Sequence, residues 1–295
     1  MKRSTKILPS IGLIGAGTMG TPIARNLLQA KYVLSVFDTN PQRARDLEEE
    51  GGIPAATPSS LAAAAEIILL CLPASDKFLE FVQQQLLPGL TAGKMLVDLG
   101  TTSVVETRRM AQWLQARNIK FLDAPVSGGE RAARKRTLSM FVGGRKEYFD
   151  RCMPVLNVLA GDGSISYCGP AGNGQIVNGV SQLAMALGSA AFLEAIAYGA
   201  AQGVPPEELA QVLEKSAASA TSINQVLRRL IRDGGESIET KYPMLPGFVQ
   251  NAEAHEQALP LTQAICGFLS EAPAAIIEQG HHVPSFWNEL KRRPK

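Results

Sequence analysis

The chain has 295 residues, 45% of them hydrophobic and 19% charged, with Lys+Arg 29 against Asp+Glu 27 for a formal charge of +2. A globular chain of this length buries roughly 70–75% of its unfolded surface, and the composition excludes collagen-like, mucin-like and coiled-coil architectures. A nearly balanced charge offers no broad field for phosphate backbones, so nucleic acid is not an expected partner.

Residues 11–14 form a short apolar strand that runs into Gly15-Ala16-Gly17-Thr18-Met19-Gly20, after which Pro22, Ile23, Ala24, Leu27 and Leu28 recur at helical spacing. Residues 32–37 read as a second buried strand, ended by Asp38-Thr39-Asn40-Pro41, with Pro41 placed to open a helix. The alternation continues with helices near 44–50 and 59–65, a strand over 67–72 stopped by Pro73, and a helix over 75–85. A strand over 95–99, a helix over 104–117 and strands over 120–123 and 137–142 follow. Continuous apolar strands separated by helices predict a parallel sheet covered on both faces, an α/β doubly wound Rossmann domain over residues 1–169.

After Gly169 the pattern changes, because residues 175–203, 207–217, 222–233 and 247–258 all read as helix with no strand between them. An all-α domain over 170–295 is expected, with the boundary in Tyr167-Cys168-Gly169-Pro170-Ala171-Gly172. The most apolar segment of the Ala/Gly-rich helix 175–203, residues 183–201, carries Glu194, so a buried helix is favoured over a membrane span. Its apolar surface exceeds what one small helical domain covers, which predicts a homodimer or homotetramer built through this domain. Cys71, Cys152, Cys168 and Cys266 are dispersed without a CxxC pair, so neither a disulfide framework nor a metal site is expected, and a reducing cytoplasm fits best. The apolar stretch after the basic start is broken by Gly12, Gly15 and Gly17, unlike a signal peptide.

The GxGxxG run gains its weight from context: it directly follows a strand, opens a helix, and precedes an acidic residue at the end of the next strand. Gly15 permits the tight turn, Gly17 lets the N–H groups of Ala16, Thr18 and Met19 approach a pyrophosphate, and Gly20 allows close helix–strand packing. Asp38, 18 residues after Gly20, stands where a carboxylate accepts hydrogen bonds from the adenosine ribose and repels a 2′-phosphate. NAD is therefore the expected cofactor, with NADP admitted by Arg43 and Arg45, either of which can swing over the same pocket. A second glycine-rich loop, Asp123-Ala124-Pro125-Val126-Ser127-Gly128-Gly129, follows a strand and offers an anion nest at the sheet's carboxyl edge.

These two loops together resemble the β-hydroxyacid dehydrogenase family, whose members include 3-hydroxyisobutyrate dehydrogenase and tartronate semialdehyde reductase. GLIGAGTMGTPIARNL matches that family's GxIGxGxMGxxxAxNL almost throughout, and the domain order agrees along essentially the whole chain. The resemblance implies that Ser127, Gly128 and Gly129 line a substrate carboxylate site and that Thr101 stands beside the nicotinamide, with Gly100 in place of the usual Ser. It further implies that Leu72-Pro73 passes the nicotinamide ribose, and that the substrate is a small, acidic molecule.

The sequence departs from the family where the family places its chemistry. Gly172-Asn173-Gly174-Gln175-Ile176-Val177 aligns with the family's GxGxxxKxxNN, but Asn178 occupies the lysine position, and Ser181 and Gln182 stand where two Asn follow. Asn178, Gln182 and Ser127 are then the residues left to carry catalysis, with Asn178 and Gln182 also contacting substrate. A second family lysine, aligned near Pro243-Met244-Leu245, is also missing, with Lys241 two residues away. Reduction of a carbonyl leaves an alkoxide, and Asn178 cannot supply its proton; losing such a donor costs roughly 10²–10⁴-fold in rate. The substrate loop replaces two family glycines with Ala132 and Arg136, and Arg131, Arg134, Lys135 and Arg136 either grip a larger acidic ligand or form a solvated turn. His255, His281 and His282 have no acidic partner at triad spacing and read as surface or packing residues, with His255 the substitute proton donor if it faces the cleft.

The leading expectation is an NAD(P)-dependent oxidoreductase that moves a hydride between nicotinamide and a small hydroxyacid, semialdehyde or related carbonyl. Two alternatives stand beside it: an activity similar to the imine reductases, whose iminium acceptor develops no oxyanion and needs no lysine, and a non-catalytic NAD(P)-binding protein that keeps the fold.

Overall fold

The computed structural model describes residues 8–73, 78–216, 249, 252–253 and 258–270. Contacts divide the chain into two compact units, Met1–Gln182 and Leu183–Lys295. In the first, β1 (Ile11–Ile14), β2 (Leu34–Phe37), β3 (Ile53–Pro54), β4 (Ile67–Leu70), β5 (Met95–Asp98) and β6 (Lys120–Asp123) lie in the order β3-β2-β1-β4-β5-β6. All five of these pairings are parallel. This is the Rossmann order, and its reversal between β1 and β4 opens the crevice where such sheets take ligands.

The sheet does not stay parallel. Beyond β6 it adds β8 (Ser139–Gly144) antiparallel, with the short β7 (Val126–Ser127) and β9 (Ser164–Gly169) both paired to β8. Neither β7 nor β9 was legible as a strand, because two residues set no period and β9 faces water on much of its length.

Strand alternation sorts the core onto two faces. Ile67 and Leu69 of β4 join Leu13, Val36 and Val97 under α1 (Gly20–Gln29) and α7 (Lys146–Ala160). Ile68 and Leu70 join Ile14, Leu96 and Phe121 under α3 (Pro58–Ala64) and α5 (Val104–Gln115). Each such side chain contributes about 1.5–3 kcal/mol by leaving water, which is what holds both helix layers to the sheet.

Local signals start the helices. Asn40 caps α2 (Pro41–Arg45), Thr57 and Ser60 form a capping box on α3, and Ser103 caps α5. α2 begins at Pro41, earlier than the helix expected near 44–50, because the Asn40 cap and Pro41 together fix its first turn. The helix expected over 75–85 is α4 (Phe78–Phe81), which passes into a wide π-turn at Val82–Leu86 and a tight turn at Leu87–Gly89. Gly89 closes that turn against α3, where a Cβ would stand 1.9 Å from the Ser59 carbonyl oxygen. α7 was missed in the sequence because Pro154 sits inside it; burial of Phe149, Cys152, Leu156 and Leu159 holds the helix together around the proline.

The substrate-loop residues fold into α6 (Gly129–Lys135) rather than a turn. α8 (Asn173–Ala201) follows β9, and the second unit continues with α9 (Pro206–Lys215) and α10 (Pro260–Ser270). In that unit Glu194 accepts hydrogen bonds from the Leu261 and Thr262 N–H groups, capping α10 across the fold. The helix expected over 222–233 lies outside the described residues, as does most of that over 247–258.

Candidate active site

The strand register aligns one edge of the sheet: Phe37, Ile14, Leu70, Asp98 and Asp123 are neighbours in successive strands. Everything that follows these residues therefore meets at that edge. Gly15 comes first, with φ +95 and its N–H donating to the Phe37 carbonyl at 2.8 Å. A Cβ on Gly15 would lie 2.2 Å from the Cys71 carbonyl oxygen, and one on Gly20 would lie 1.8 Å from the Gly15 carbonyl oxygen. Both glycines are demanded by the fold itself. Gly17 differs, since among the described residues only the Arg43 guanidinium, at 3.8 Å, stands near where its Cβ would be.

The N-terminus of α1 is open as well. Met19 in the cap position makes no side-chain cap hydrogen bond, and the first turn holds no acidic residue. Thr21 donates its hydroxyl to the Ala16 carbonyl at 2.7 Å, fixing the loop. The Ala16 N–H donates to Asp38 Oδ2 at 2.8 Å and the Asn40 N–H to Oδ1 at 2.8 Å, so the carboxylate that ends β2 also shapes the glycine turn. Arg43 stands 3.5 Å from Asp38 Oδ1.

Two cavities flank this loop. One of about 210 Å³ is lined by Gly15, Gly17, Asp38, Arg43, Leu72 and Phe81 among others. The other, about 480 Å³, is lined by residues that include Thr18, Met19, Gly20, Leu72, Pro73, Thr101 and Gly129. Gly17, Cys71, Leu72 and Pro73 border both. Burial pushes the Cys71 thiol up to about 12, with the nearby Asp98 adding to the shift, so it stays protonated and brings no charge to either cavity.

Asp98 and Asp123, which end β5 and β6, are both fully buried. Asp98 accepts from the Gly100 N–H at 2.9 Å and the Thr102 hydroxyl at 2.7 Å, shaping the loop that carries Thr101. Burial pushes Asp98 up to about 7, against the pull of those two hydrogen bonds. Asp123 accepts from the Gly172 N–H at 2.9 Å and the Gln175 N–H at 3.0 Å, so a strand residue caps the start of α8. Its carboxyl is also raised by burial. Gly143 and Gly174 permit this seating, as a Cβ on either would fall within 2.9 Å of an Asp123 carboxylate oxygen.

Gln175 joins the two aspartate-held loops. Its Nε2 donates to the Gly100 carbonyl at 2.9 Å while its buried Oε1 has no partner among the described residues. One helical turn on, Asn178 is 1% exposed, and neither its Nδ2 nor its Oδ1 has a partner among them. A buried amide left unpaired costs about 1–3 kcal/mol per group, which marks this stretch of α8 as a place where stability is given up. Gln182, a further turn along, is exposed. Ser127 is half-buried in β7, followed by Gly128 and Gly129 with φ of +120 and +66. Among the described residues none lies within 4 Å of a Cβ position on Gly129.

The comparisons with known proteins agree with this geometry. Residues 10–169 match the family model described as the NAD binding domain of 6-phosphogluconate dehydrogenase, and residues 172–281 that described as NAD-binding of NADP-dependent 3-hydroxyisobutyrate dehydrogenase. The chain is 33% identical to the 2-hydroxy-3-oxopropionate reductase of Escherichia coli, across 90% of this chain and 91% of that one. It is 32% identical to the 3-hydroxyisobutyrate dehydrogenase of Pseudomonas aeruginosa, across 74% and 73%. The chain belongs to the 3-hydroxyisobutyrate dehydrogenase family. In fold it is similar to a variant imine reductase from Myxococcus stipitatus in complex with NAD+, with TM-score 0.85 and 20% identity across 96% of this chain and 100% of that one.

As a member of the 3-hydroxyisobutyrate dehydrogenase family the chain is an NAD(P)-binding oxidoreductase. Three of the residues that organise its site, Asp98, Asp123 and Gln175, were not singled out from the sequence. The signal was present: Asp38, Asp98 and Asp123 each follow an apolar run, the mark of a strand that ends in a carboxylate. Two members of the basic run make local contacts. Arg134 pairs with Glu130 along α6, and Arg136, held in the left-handed region at φ 57, donates to the Val158 carbonyl at 3.0 Å. His255, His281, His282, Lys241 and residues 243–245 lie outside the described residues.

Proposed function

We propose that this protein moves a hydride between the nicotinamide of NAD(P) and a small hydroxyacid, semialdehyde or related carbonyl compound. The observation that carries the reading is the open N-terminus of α1, uncapped and free of acid, beside a Gly17 whose Cβ position meets nothing closer than Arg43 at 3.8 Å among the described residues. A dinucleotide fits that cradle: Gly15, Ala16 and Gly20 shape the turn, with the Gly15 and Ala16 N–H groups spent on Phe37 and Asp38, and the N–H groups of Gly17, Thr18 and Met19 at the helix end are left to meet a pyrophosphate, which the helix end favours. Bound there, the nicotinamide supplies or takes up the hydride.

The remaining roles fall to this chain's own residues. Asp38 accepts ribose hydroxyls in the smaller cavity and favours NAD, while Arg43, 3.5 Å away, is the group that would tolerate a 2′-phosphate. Leu72, Pro73 and Thr101 wall the larger cavity on the nicotinamide side. Ser127 and the N–H groups of Gly128 and Gly129 receive the substrate carboxylate. Asn178 donates a hydrogen bond to the reacting oxygen and orients it without supplying a proton, with Gln182 further along the helix.

The protein is read as a cytoplasmic homodimer or homotetramer assembled through residues 170–295, supported by the exposure of Val180, Leu183, Met185 and Leu187 along α8 and by the free thiols of all four cysteines. No helix among the described residues is long and apolar enough to cross a membrane. Fluorescence titration with NADH and NADPH side by side tests the reading. Saturable binding, tighter for NADH and weakened at least tenfold by Gly17→Val, is expected; no binding of either dinucleotide would overturn it.

A further inference from the structure

A further cavity, of about 320 Å³, opens within the first unit and shares no lining residue with the two at the glycine loop. It lies where the last turn of α5, the start of β6, the turn from β8 into α7 and the segment from β9 into α8 come together. Its size falls at the lower end of small-molecule sites, which span roughly 300–1,000 Å³. The hydride transfer proposed above uses none of its residues.

The apolar part of the lining comes from the buried Ile119 and Phe121 and from Ala111 and Ala171. Two further rings, Tyr148 and Tyr167, join Phe121 there. Tyr167 is fixed in place: its ring centre packs 5.1 Å from that of Phe149, and its hydroxyl donates to the Gly144 carbonyl at 2.9 Å. Three aromatic rings around one apolar hollow favour a flat aromatic guest, which meets them edge-to-face or offset.

The polar part of the lining has one sign. It holds Arg145 and no Asp or Glu. Arg145 Nη1 donates to the Tyr148 hydroxyl oxygen at 3.5 Å and stands 3.3 Å from Glu147 Oε1. Both members of that ion pair are more than half exposed, so the pair is weak and the other guanidinium N–H groups remain open. The O–H of Tyr148 has no acceptor among the described residues. The unspent capacity beside the rings is therefore donors carrying a positive charge, with the neutral amide of Gln115 next to them. One guanidinium fork matches one carboxylate. A phosphate monoester, with a charge of about −2, would call for a second unpaired cation, and the neighbouring Lys146 is already paired with Asp150.

We propose that this cavity is a second small-molecule site, which takes an aryl carboxylate: the ring lies among Phe121, Tyr148 and Tyr167, and the carboxylate accepts from Arg145 and the Tyr148 hydroxyl. The site is built from the first unit alone and does not depend on a bound dinucleotide.

Calorimetric titration of the full chain with phenylacetate tests this. Expected is saturable one-to-one binding at least about tenfold tighter than that of phenylacetamide, which keeps the ring without the charge, or of acetate, which keeps the charge without the ring. Arg145→Gln, at an exposed position whose replacement leaves the core untouched, should weaken phenylacetate at least about tenfold, and Tyr148→Phe about threefold, with NADH affinity unchanged in both. Ser127→Ala should leave phenylacetate binding as it is. Absence of saturation up to about 10 mM, equal binding of phenylacetamide, or undiminished binding in Arg145→Gln would overturn the inference whether or not NADH binds. A loss in Ser127→Ala but not in Arg145→Gln would overturn it as well, by placing the carboxylate at the candidate active site.

Discussion

Gly17 has room for a side chain and Gly20 has none, so the two glycines of one motif answer to different constraints. Gly20→Ala must displace backbone and is expected to lower stability by more than about 2 kcal/mol in denaturant melts. Gly17→Ala should leave the melting transition within about 0.5 kcal/mol of the parent while weakening NADH. A comparable stability loss in both variants would show that Gly17 also serves the fold. Asn178 makes the opposite case. Because its amide is buried and unpaired, Asn178→Leu is expected to stabilise the protein by about 1–2 kcal/mol while lowering turnover at least tenfold. Destabilisation would mean that the amide is satisfied in solution. That trade was not legible in the sequence, where Asn178 reads only as a residue standing where a lysine is expected.

Among the elements, β5 and β6 do more than fill the sheet, because the carboxylates at their ends hold the two segments that border the candidate substrate site. Asp98 sits in the folded protein at about 7, raised by burial above the ordinary carboxylate value. The folded state therefore binds more protons than the unfolded chain between about pH 4 and pH 7, and stability falls as pH rises through that window. Asp98→Asn should flatten this slope, read from denaturation midpoints at pH 5 and pH 8; an unaltered slope would place the titration elsewhere. Asp123 anchors α8 through the Gly172 and Gln175 N–H groups, and Asp123→Ala should cost about 3 kcal/mol or more by leaving buried donors unpaired. The strands β5 and β6 were readable from apolar runs, since that signal is local. The carboxylate bridges were not, because Asp123 and Gln175 are 52 residues apart and only the sheet register brings them together.

At the scale of the whole molecule, the sequence predicts oligomerisation through residues 170–295, and α8 presents Val180, Leu183, Met185 and Leu187 more than half exposed. Light scattering at micromolar concentration should give twice or four times the 31.5 kDa chain mass, and a single-chain mass would remove this expectation. Charge is balanced across the chain, so assembly driven by apolar contact should persist at high salt.

The sequence by itself determined the doubly wound parallel sheet with β1, β2, β4, β5 and β6, though not the two-residue β3, together with the glycine turn and the family, because each is written in contiguous residues whose spacing has one structural meaning. It did not determine which glycine has room to meet a ligand, that Arg136 donates to the Val158 carbonyl, or that the Gln175 Oε1 and the Asn178 amide have no partner among the described residues. Those were decided by the tertiary structure, since clearance around a backbone atom and the satisfaction of a buried polar group depend on residues distant in the chain.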